Sequence, residues 1–164
     1  MRFIHPIDKV YISQGFGQNP QVYAQFGLKG HNGIDYRSRF VDSPLGRRYV
    51  VAPADGVIEE IGNQGIKGYG IYCRIRHDDG SQSTFGHFTK LYCWKGQKVK
   101  QGERIALTGN TGFSSGSHLH WGWRPKNWDI KNGYAGYVDQ YTMIGEKQAP
   151  VEACKHCKLH NCPK

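Results

Sequence analysis

The sequence predicts a mainly β fold, antiparallel, with hairpin connections between neighbouring strands. Three observations predict it. Aromatic residues make up 13% of the chain, and 22 of its 164 residues are glycine, a composition typical of short strands joined by many turns. In addition, no segment keeps a helical apolar period for more than a turn or two, which argues against a helical bundle.

Strand-like segments alternate with turn signals along most of the chain. After a turn-rich stretch over 1–30, we expect strands over 33–36, 49–52, 57–61, 68–76, 81–87, 99–107 and 118–124. Asp79-Gly80 is the strongest hairpin dipeptide, and Gly102 predicts a turn inside its segment. Cys73 and Cys93 lie in strand-like segments and are expected to be buried.

The length favours one domain, which we expect over residues 1–145, followed by a polar Cys/His/Lys-rich tail over 146–164. The formal net charge is +9, which implies a polyanionic partner: nucleic acid, an anionic membrane or an anionic cell wall. No stretch approaches the ~20 apolar residues of a membrane span, so membrane insertion is not expected. We expect a monomer.

His118 and His120 form the sharpest local motif, in the segment Ser-His-Leu-His-Trp. Residues two apart in a strand share a face, so the two imidazoles project together, about 6.6 Å apart along the strand. Leu119 and Trp121 face a core. This spacing suits one metal ligand and one catalytic neighbour, but it does not show which histidine holds the metal. A pair of surface histidines is the competing interpretation.

His31 and Asp35 form a second candidate pair, in the segment Gly-His-Asn-Gly-Ile-Asp. A straight strand would separate their Cα atoms by about 13 Å, too far for two side chains to share a metal comfortably. The chain must therefore curl between them. Asn32-Gly33 suits such a curl because both residues tolerate positive φ. Taken alone, the pair is equally consistent with a turn aspartate and an incidental histidine.

His87 follows Phe85-Gly86 at a strand end. By itself it does not indicate a functional site, and it becomes a candidate only together with the other residues. Two histidines and an aspartate are a ligand set that suits zinc with an open position for water. Two further histidines can then move protons and stabilise a developing oxyanion. Metal-assisted hydrolysis is the reaction class that uses all five residues.

Several ordered motifs resemble the lysostaphin-type zinc endopeptidases of bacteria and phages. The resemblance covers roughly residues 10–140, and its last motif carries Trp121 where relatives often have Phe. Its motifs are Gln14 to Gly17, Gly30 to Asp35, Val51 to Val57, Gly86-His87, Gly96 to Gly102, Gly109 to Gly112 and His118 to His120. The loop from Arg37 to Arg48 has no counterpart in the common pattern.

The resemblance implies that His31, Asp35 and His120 are the ligands of a Zn²⁺ ion, and that His87 and His118 are a catalytic pair beside it. It implies a compact antiparallel β fold whose active site lies in a groove lined by loops. The implied substrate is bacterial peptidoglycan, cut in its stem peptide or cross-bridge. Nucleic acid is not expected as a binding partner.

The N-terminus carries Pro6 and Asp8 where a secretion signal needs an apolar region, so no such signal is expected. A phage lysis enzyme or a virion-associated wall hydrolase, acting on the periplasmic or extracellular side of the cell, would need none.

Two other functions compete with the endopeptidase. One is a non-catalytic wall-binding or activator module of the same fold; such modules typically lack some metal or catalytic residues, whereas all five positions are filled here. The other is a small basic zinc protein that binds nucleic acid, for which no recognition-helix pattern or long basic stripe is visible.

The C-terminal segment carries a nominal Cys₃His set of zinc-type ligands. The spacing is unusually tight, and we favour a tail without a structural metal site over a second zinc site. The residues concerned are Cys154, Cys157, His160 and Cys162.

Overall fold

The computed structural model describes residues 2–145, and within them the chain forms ten strands and one short α-helix, α1, together with three 3-10 helices at Ala24–Phe26, Gly65–Lys67 and Tyr141–Met143. The tail over 146–164 and its Cys₃His set lie outside the described residues. The elements are β1 Ile12–Gln14, α1 Pro20–Tyr23, β2 Ile34–Arg37, β3 Tyr49–Val51, β4 Gly56–Asn63, β5 Ile71–His77, β6 Gln82–Gly86, β7 Phe88–Leu91, β8 Lys98–Val99, β9 Arg104–Thr108 and β10 His118–Arg124.

The strands form two antiparallel sheets, as the sequence predicted. The larger sheet has seven strands in the order β1-β2-β10-β6-β5-β4-β8, and the smaller has three in the order β3-β9-β7. Within the described residues no helix has the length and apolarity needed to cross a membrane.

One hydrophobic core lies between the two sheets. Strand β10 shows how it forms: Leu119 and Trp121 are fully buried, and the phenylalanine rings of Phe3 and Phe85 pack on the Trp121 indole with centroids 5.3 and 6.0 Å away. The smaller sheet adds residues such as Ile105 to the same cluster. The alternation of β10 therefore turns its histidines to the opposite face of the large sheet.

Most predicted strands are present, with boundaries shifted by a few residues. The Asp79-Gly80 hairpin is confirmed, with Gly80 at φ +83° between β5 and β6. The 99–107 segment divides at Gly102, and its two parts enter different sheets. Strands β1 and β7 and helix α1 were not predicted. Cys73 and Cys93 are buried, as expected.

Candidate active site

Strands β2 and β10 pair in a register that builds the site. His120 lies opposite Asp35, and His118 lies opposite Arg37. Ile34 and Tyr36 are buried in the core, so Asp35 and Arg37 point to the other face, the face that carries the two histidines. The two cross-strand pairs are neighbours on that face, and together they present four polar side chains side by side.

His31, Asp35 and His120 bring three donor atoms into a small triangle. His31 Nε2 lies 3.1 Å from Asp35 Oδ1 and 3.0 Å from His120 Nδ1, and His120 Nδ1 lies 3.0 Å from Asp35 Oδ1. Ligands bound to zinc at about 2.0–2.1 Å in a tetrahedron lie about 3.3 Å apart, so the spacing fits such an ion. All three residues are buried.

The hydrogen bonds of His31 fix which nitrogen faces the triangle. Its Nδ1 lies 3.1 Å from the carbonyl oxygen of Gly15, which can only accept, so Nδ1 carries the proton and Nε2 offers a lone pair. His120 presents Nδ1 instead, and its buried Nε2 has no hydrogen-bond partner among residues 2–145. The lone pairs of two imidazoles and a carboxylate thus point toward one position. This is a set of ligand atoms that a divalent cation can bind.

The electrostatics of the triangle favour the unprotonated ligands that a metal requires. Burial alone would raise the pKa of Asp35. Without a metal ion, a proton on His120 or His31 can form a hydrogen bond to the carboxylate; these hydrogen bonds outweigh burial and hold the pKa well below its usual range. A bound cation would take the place of that proton. Burial also lowers the pKa of His120, and it outweighs the opposite effect of the neighbouring Asp35 carboxylate. The carboxylate is therefore ionised and His120 neutral at physiological pH.

The curl between His31 and Asp35 exists, but it does not use positive φ at Asn32 or Gly33. Neither residue is among those with positive φ, so the proposed conformational reason was wrong. Gly33 is required for space instead: a Cβ there would lie 2.6 Å from both His120 Cε1 and the carbonyl oxygen of Trp121. The glycine lets the chain pass directly against the imidazole.

His87 and His118 lie beside the triangle, with ring centroids 4.5 Å apart. His87 Nδ1 lies 2.6 Å from the carbonyl oxygen of Thr111, and His118 Nδ1 lies 2.8 Å from that of Gly116. Because a carbonyl only accepts, both rings carry their proton on Nδ1 and leave Nε2 free. His118 Nε2 lies 3.6 Å from the second oxygen of Asp35.

The backbone at His87 is strained, with φ at +66° between β6 and β7. Its amide donates to the carbonyl of Tyr69 at 2.7 Å, which helps hold this conformation. Burial lowers the pKa of His87 to about 3, with His118 and His120 contributing, so its ring is neutral at physiological pH.

The five residues lie at the floor of a groove of about 990 Å³. One wall comes from α1 and the turn after it, and the opposite wall comes from residues 64–69 and 112–117. At one end Phe26 and Phe113 meet across the groove, with ring centroids 5.0 Å apart. The structure thus shows the loop-lined groove that the resemblance implied.

The sequence analysis missed three polar residues around the floor. The Tyr23 ring lies 5.2 Å from that of His31, and burial raises the pKa of its hydroxyl to about 12. Tyr69 packs its ring 5.1 Å from His120, and its hydroxyl accepts a hydrogen bond from the Asn32 side chain at 3.0 Å. Tyr23 and Tyr69 lie in no motif that would mark them, whereas Asn32 lies in the Gly30 to Asp35 motif but was considered only for its backbone conformation.

Two other histidines of the described residues, His5 and His77, lie outside this site. His77 is buried between the Asp55 carbonyl and the Ser83 hydroxyl, at 2.9 and 2.8 Å, and His5 contacts Tyr36. Both are occupied by structural hydrogen bonds. Within the described residues, His31, Asp35 and His120 are the group that could hold a metal ion.

Comparison with known proteins agrees with this geometry. The model of Peptidase family M23 matches residues 29–132, more than half of the chain. The peptidoglycan DD-endopeptidase ShyA of Vibrio cholerae is 37% identical over 118 residues, which cover 71% of this chain and 26% of ShyA. The chain spans about a quarter of the length of the curated relatives it matches, at 22% and 26% for the first three.

Solved structures show the same fold. A zinc-containing peptidase from Vibrio cholerae superposes with a TM-score of 0.65 at 28% identity, covering 85% of this chain and 39% of that one. The catalytic domain of lysostaphin from Staphylococcus simulans gives 0.64 at 24% identity, covering 81% and 90%. The extent of the family match and the identity to ShyA lead to one conclusion: the chain is a member of peptidase family M23.

Proposed function

We propose that this protein is a zinc-dependent endopeptidase that hydrolyses peptide bonds of bacterial peptidoglycan, acting on the cell-wall side of the membrane. The observation that carries the proposal is the buried triangle of His31, Asp35 and His120 at the floor of an open groove, with two further imidazoles beside it. Membership of a peptidase family and the names of the relatives agree with it.

Zinc is the metal proposed for the triangle because two imidazole nitrogens and one carboxylate oxygen leave a fourth position open in a tetrahedral site. When bound, it supplies Lewis-acid polarisation and lowers the pKa of water toward neutrality. The chain contributes the geometry: the Gly15 carbonyl orients His31, and the tight contact at Gly33 fixes His120.

His87 and His118 are proposed as the proton-transfer pair. His87 is neutral, and its Nδ1 proton is committed to the Thr111 carbonyl, so Nε2 can accept a proton from the attacking water. The proton that His87 accepts can then pass to the leaving amine. His118 is held in the same way by the Gly116 carbonyl, and in its doubly protonated form it can donate from Nε2 to the developing oxyanion. The 4.5 Å between their ring centroids supports a shared action of the two histidines on one substrate carbonyl.

The groove suits an extended peptide. Tyr23 and Phe26 on one wall and Phe113 on the other give it aromatic surfaces for the side chains of a bound peptide. A net charge of +9 favours association with a wall that carries anionic polymers. These features agree with the activity in the name of ShyA, a peptidoglycan DD-endopeptidase.

The direct test is digestion of purified peptidoglycan, followed by mass analysis of the released peptides and their new ends. We expect new amino termini from a cut cross-link, their loss after chelation of the metal, and their return when Zn²⁺ is added. The competing non-catalytic wall-binding module would bind the same sacculi without producing new ends. Cosedimentation with sacculi, measured in parallel, separates these two outcomes.

A further inference from the structure

The loop from Arg37 to Arg48, which follows β2, is firmly anchored beside the groove. Arg48 is buried and donates from Nε to Asp8 at 2.7 Å and from Nη1 to Asp42 at 3.2 Å. Its guanidinium also lies 5.3 Å from the Phe40 ring centroid. This loop, which has no counterpart in the common family pattern, is therefore held by specific contacts and can keep its side chains in fixed positions.

Arg37 is one of the side chains that this loop holds. Its Nε donates to the carbonyl of Arg39 at 2.8 Å, and its guanidinium carbon lies 5.7 and 5.4 Å from the ring centroids of Tyr11 and Phe40. The two terminal amino groups form a fork that matches a carboxylate. No acidic side chain of residues 2–145 forms an ion pair with Arg37 or Arg39.

Both arginines line the active-site groove. Arg37 lies opposite His118 in the β2–β10 register, two residues along β2 from Asp35 and therefore on the same face of the sheet. Asp35 is the one acidic residue among the described residues that line the groove, and its charge is committed to the two histidines of the triangle. The groove thus presents uncompensated positive charge immediately beside the catalytic pair.

We propose that Arg37, assisted by the charge of Arg39, binds a free carboxylate of the substrate peptide next to the scissile bond, on the His118 side. This inference rests on the proposed function and names its substrate class: peptides with an ionised carboxyl group close to the bond that is cut, rather than neutral or amidated ones. An unpaired, pre-oriented guanidinium binds such a group with two parallel charge-assisted hydrogen bonds.

The test compares two synthetic cross-linked peptides that differ only in whether the carboxyl group beside the scissile bond is free or a primary amide. For the wild-type protein we expect kcat/KM to be about 10- to 100-fold higher on the free acid. Arg37→Gln should lose this preference, because its kcat/KM should fall on the free-acid peptide and stay unchanged on the amide. Arg37→Lys should restore part of it, because a lysine keeps the charge without the fork.

Arg47→Gln is the matched control, since Arg47 is an exposed arginine of the same loop that does not line the groove. It should keep the full preference. Equal rates of the wild-type protein on both peptides, or an Arg37→Gln variant that loses activity on both to the same extent, would overturn the inference while leaving the hydrolase intact.

A binding measurement separates the two proposals. In His87→Ala protein, whose turnover should be low, calorimetry should show tighter binding of the free-acid peptide than of its amide, and Arg37→Gln in the same background should abolish the difference. If the wild-type protein cleaves no peptide, the proposed function fails, and this binding difference alone then supports or refutes the carboxylate site.

Discussion

His118 and His120 stand two residues apart on one strand and face the same side of the sheet, yet their surroundings differ sharply. The His120 side chain is 4% exposed and meets Asp35 and His31 at 3.0 Å. The His118 side chain is 17% exposed and is held by a loop carbonyl. The difference arises from β2, which sets Asp35 opposite one histidine and Arg37 opposite the other. Strand register, not local motif, gives the two histidines different neighbours.

The largest effect should come from removing a residue of the triangle. His31→Ala, Asp35→Ala and His120→Ala each delete one of three proposed ligands, so we expect peptidoglycan hydrolysis to fall to background. The fold should weaken only partly, because the core between the sheets does not include these side chains. Activity on sacculi and a thermal unfolding scan measure the two effects, and full activity in any of these variants would contradict the assignment.

Removing a member of the proton-transfer pair should be less severe. His87→Ala and His118→Ala are expected to lose about 10²–10⁴-fold in kcat, the range of a general acid–base or oxyanion group. Steady-state kinetics on a soluble cross-linked peptide checks this. His5→Ala serves as the control, because His5 contacts Tyr36 away from the groove, and it should retain wild-type kcat. A His118→Ala variant with unchanged kcat would remove His118 from the mechanism.

The contact at Gly33 offers a third perturbation. Gly33→Ala would place a Cβ 2.6 Å from His120 Cε1 and the Trp121 carbonyl, so we expect a loss of about 1–3 kcal/mol in the free energy of unfolding together with weaker metal binding. Gly116→Ala is the matched control, since a Cβ there meets nothing within 4 Å. Denaturant titration of both variants should show the loss only at Gly33.

A pH dependence of stability should be the smallest effect. Because burial holds the pKa of His87 near 3, the unfolded chain takes up a proton below about pH 6.5 while the folded one does not. Stability of the metal-free protein should therefore fall as pH drops from about 6.5 toward 3. In His87→Gln this fall should be smaller, as measured by denaturant unfolding at about pH 7 and about pH 4.5. Identical falls would mean that His87 is not buried neutral.

The sequence predicted those parts of the fold and site that depend on local pattern. The alternation of β10 placed His118 and His120 on one face, and Asp79-Gly80 marked its hairpin. The set of five site residues came from the histidine and aspartate motifs together with the family resemblance, and the structure brings all five to one groove.

What the sequence did not predict depends on contacts between distant segments. The register of β2 on β10, the division of β8 and β9 between two sheets, and the strained backbone of His87 are all tertiary properties. Gly33 illustrates the limit: its importance was recognised, but the reason was the nearness of His120 rather than backbone freedom. The orientation of Arg37 into the groove follows from the same register.

The most direct test of the whole account is the zinc content of His118→Ala and His120→Ala, measured side by side with the wild-type protein by elemental analysis. The account predicts that His118→Ala keeps the wild-type number of zinc ions per chain and that His120→Ala has one fewer. The number of zinc ions per chain is compared with that of the wild-type protein rather than with one. The reason is that the C-terminal cysteines and His160 are a second set of zinc-type ligands and could add zinc to every variant. Loss of zinc in His118→Ala with full retention in His120→Ala would reverse the assignment and contradict the account.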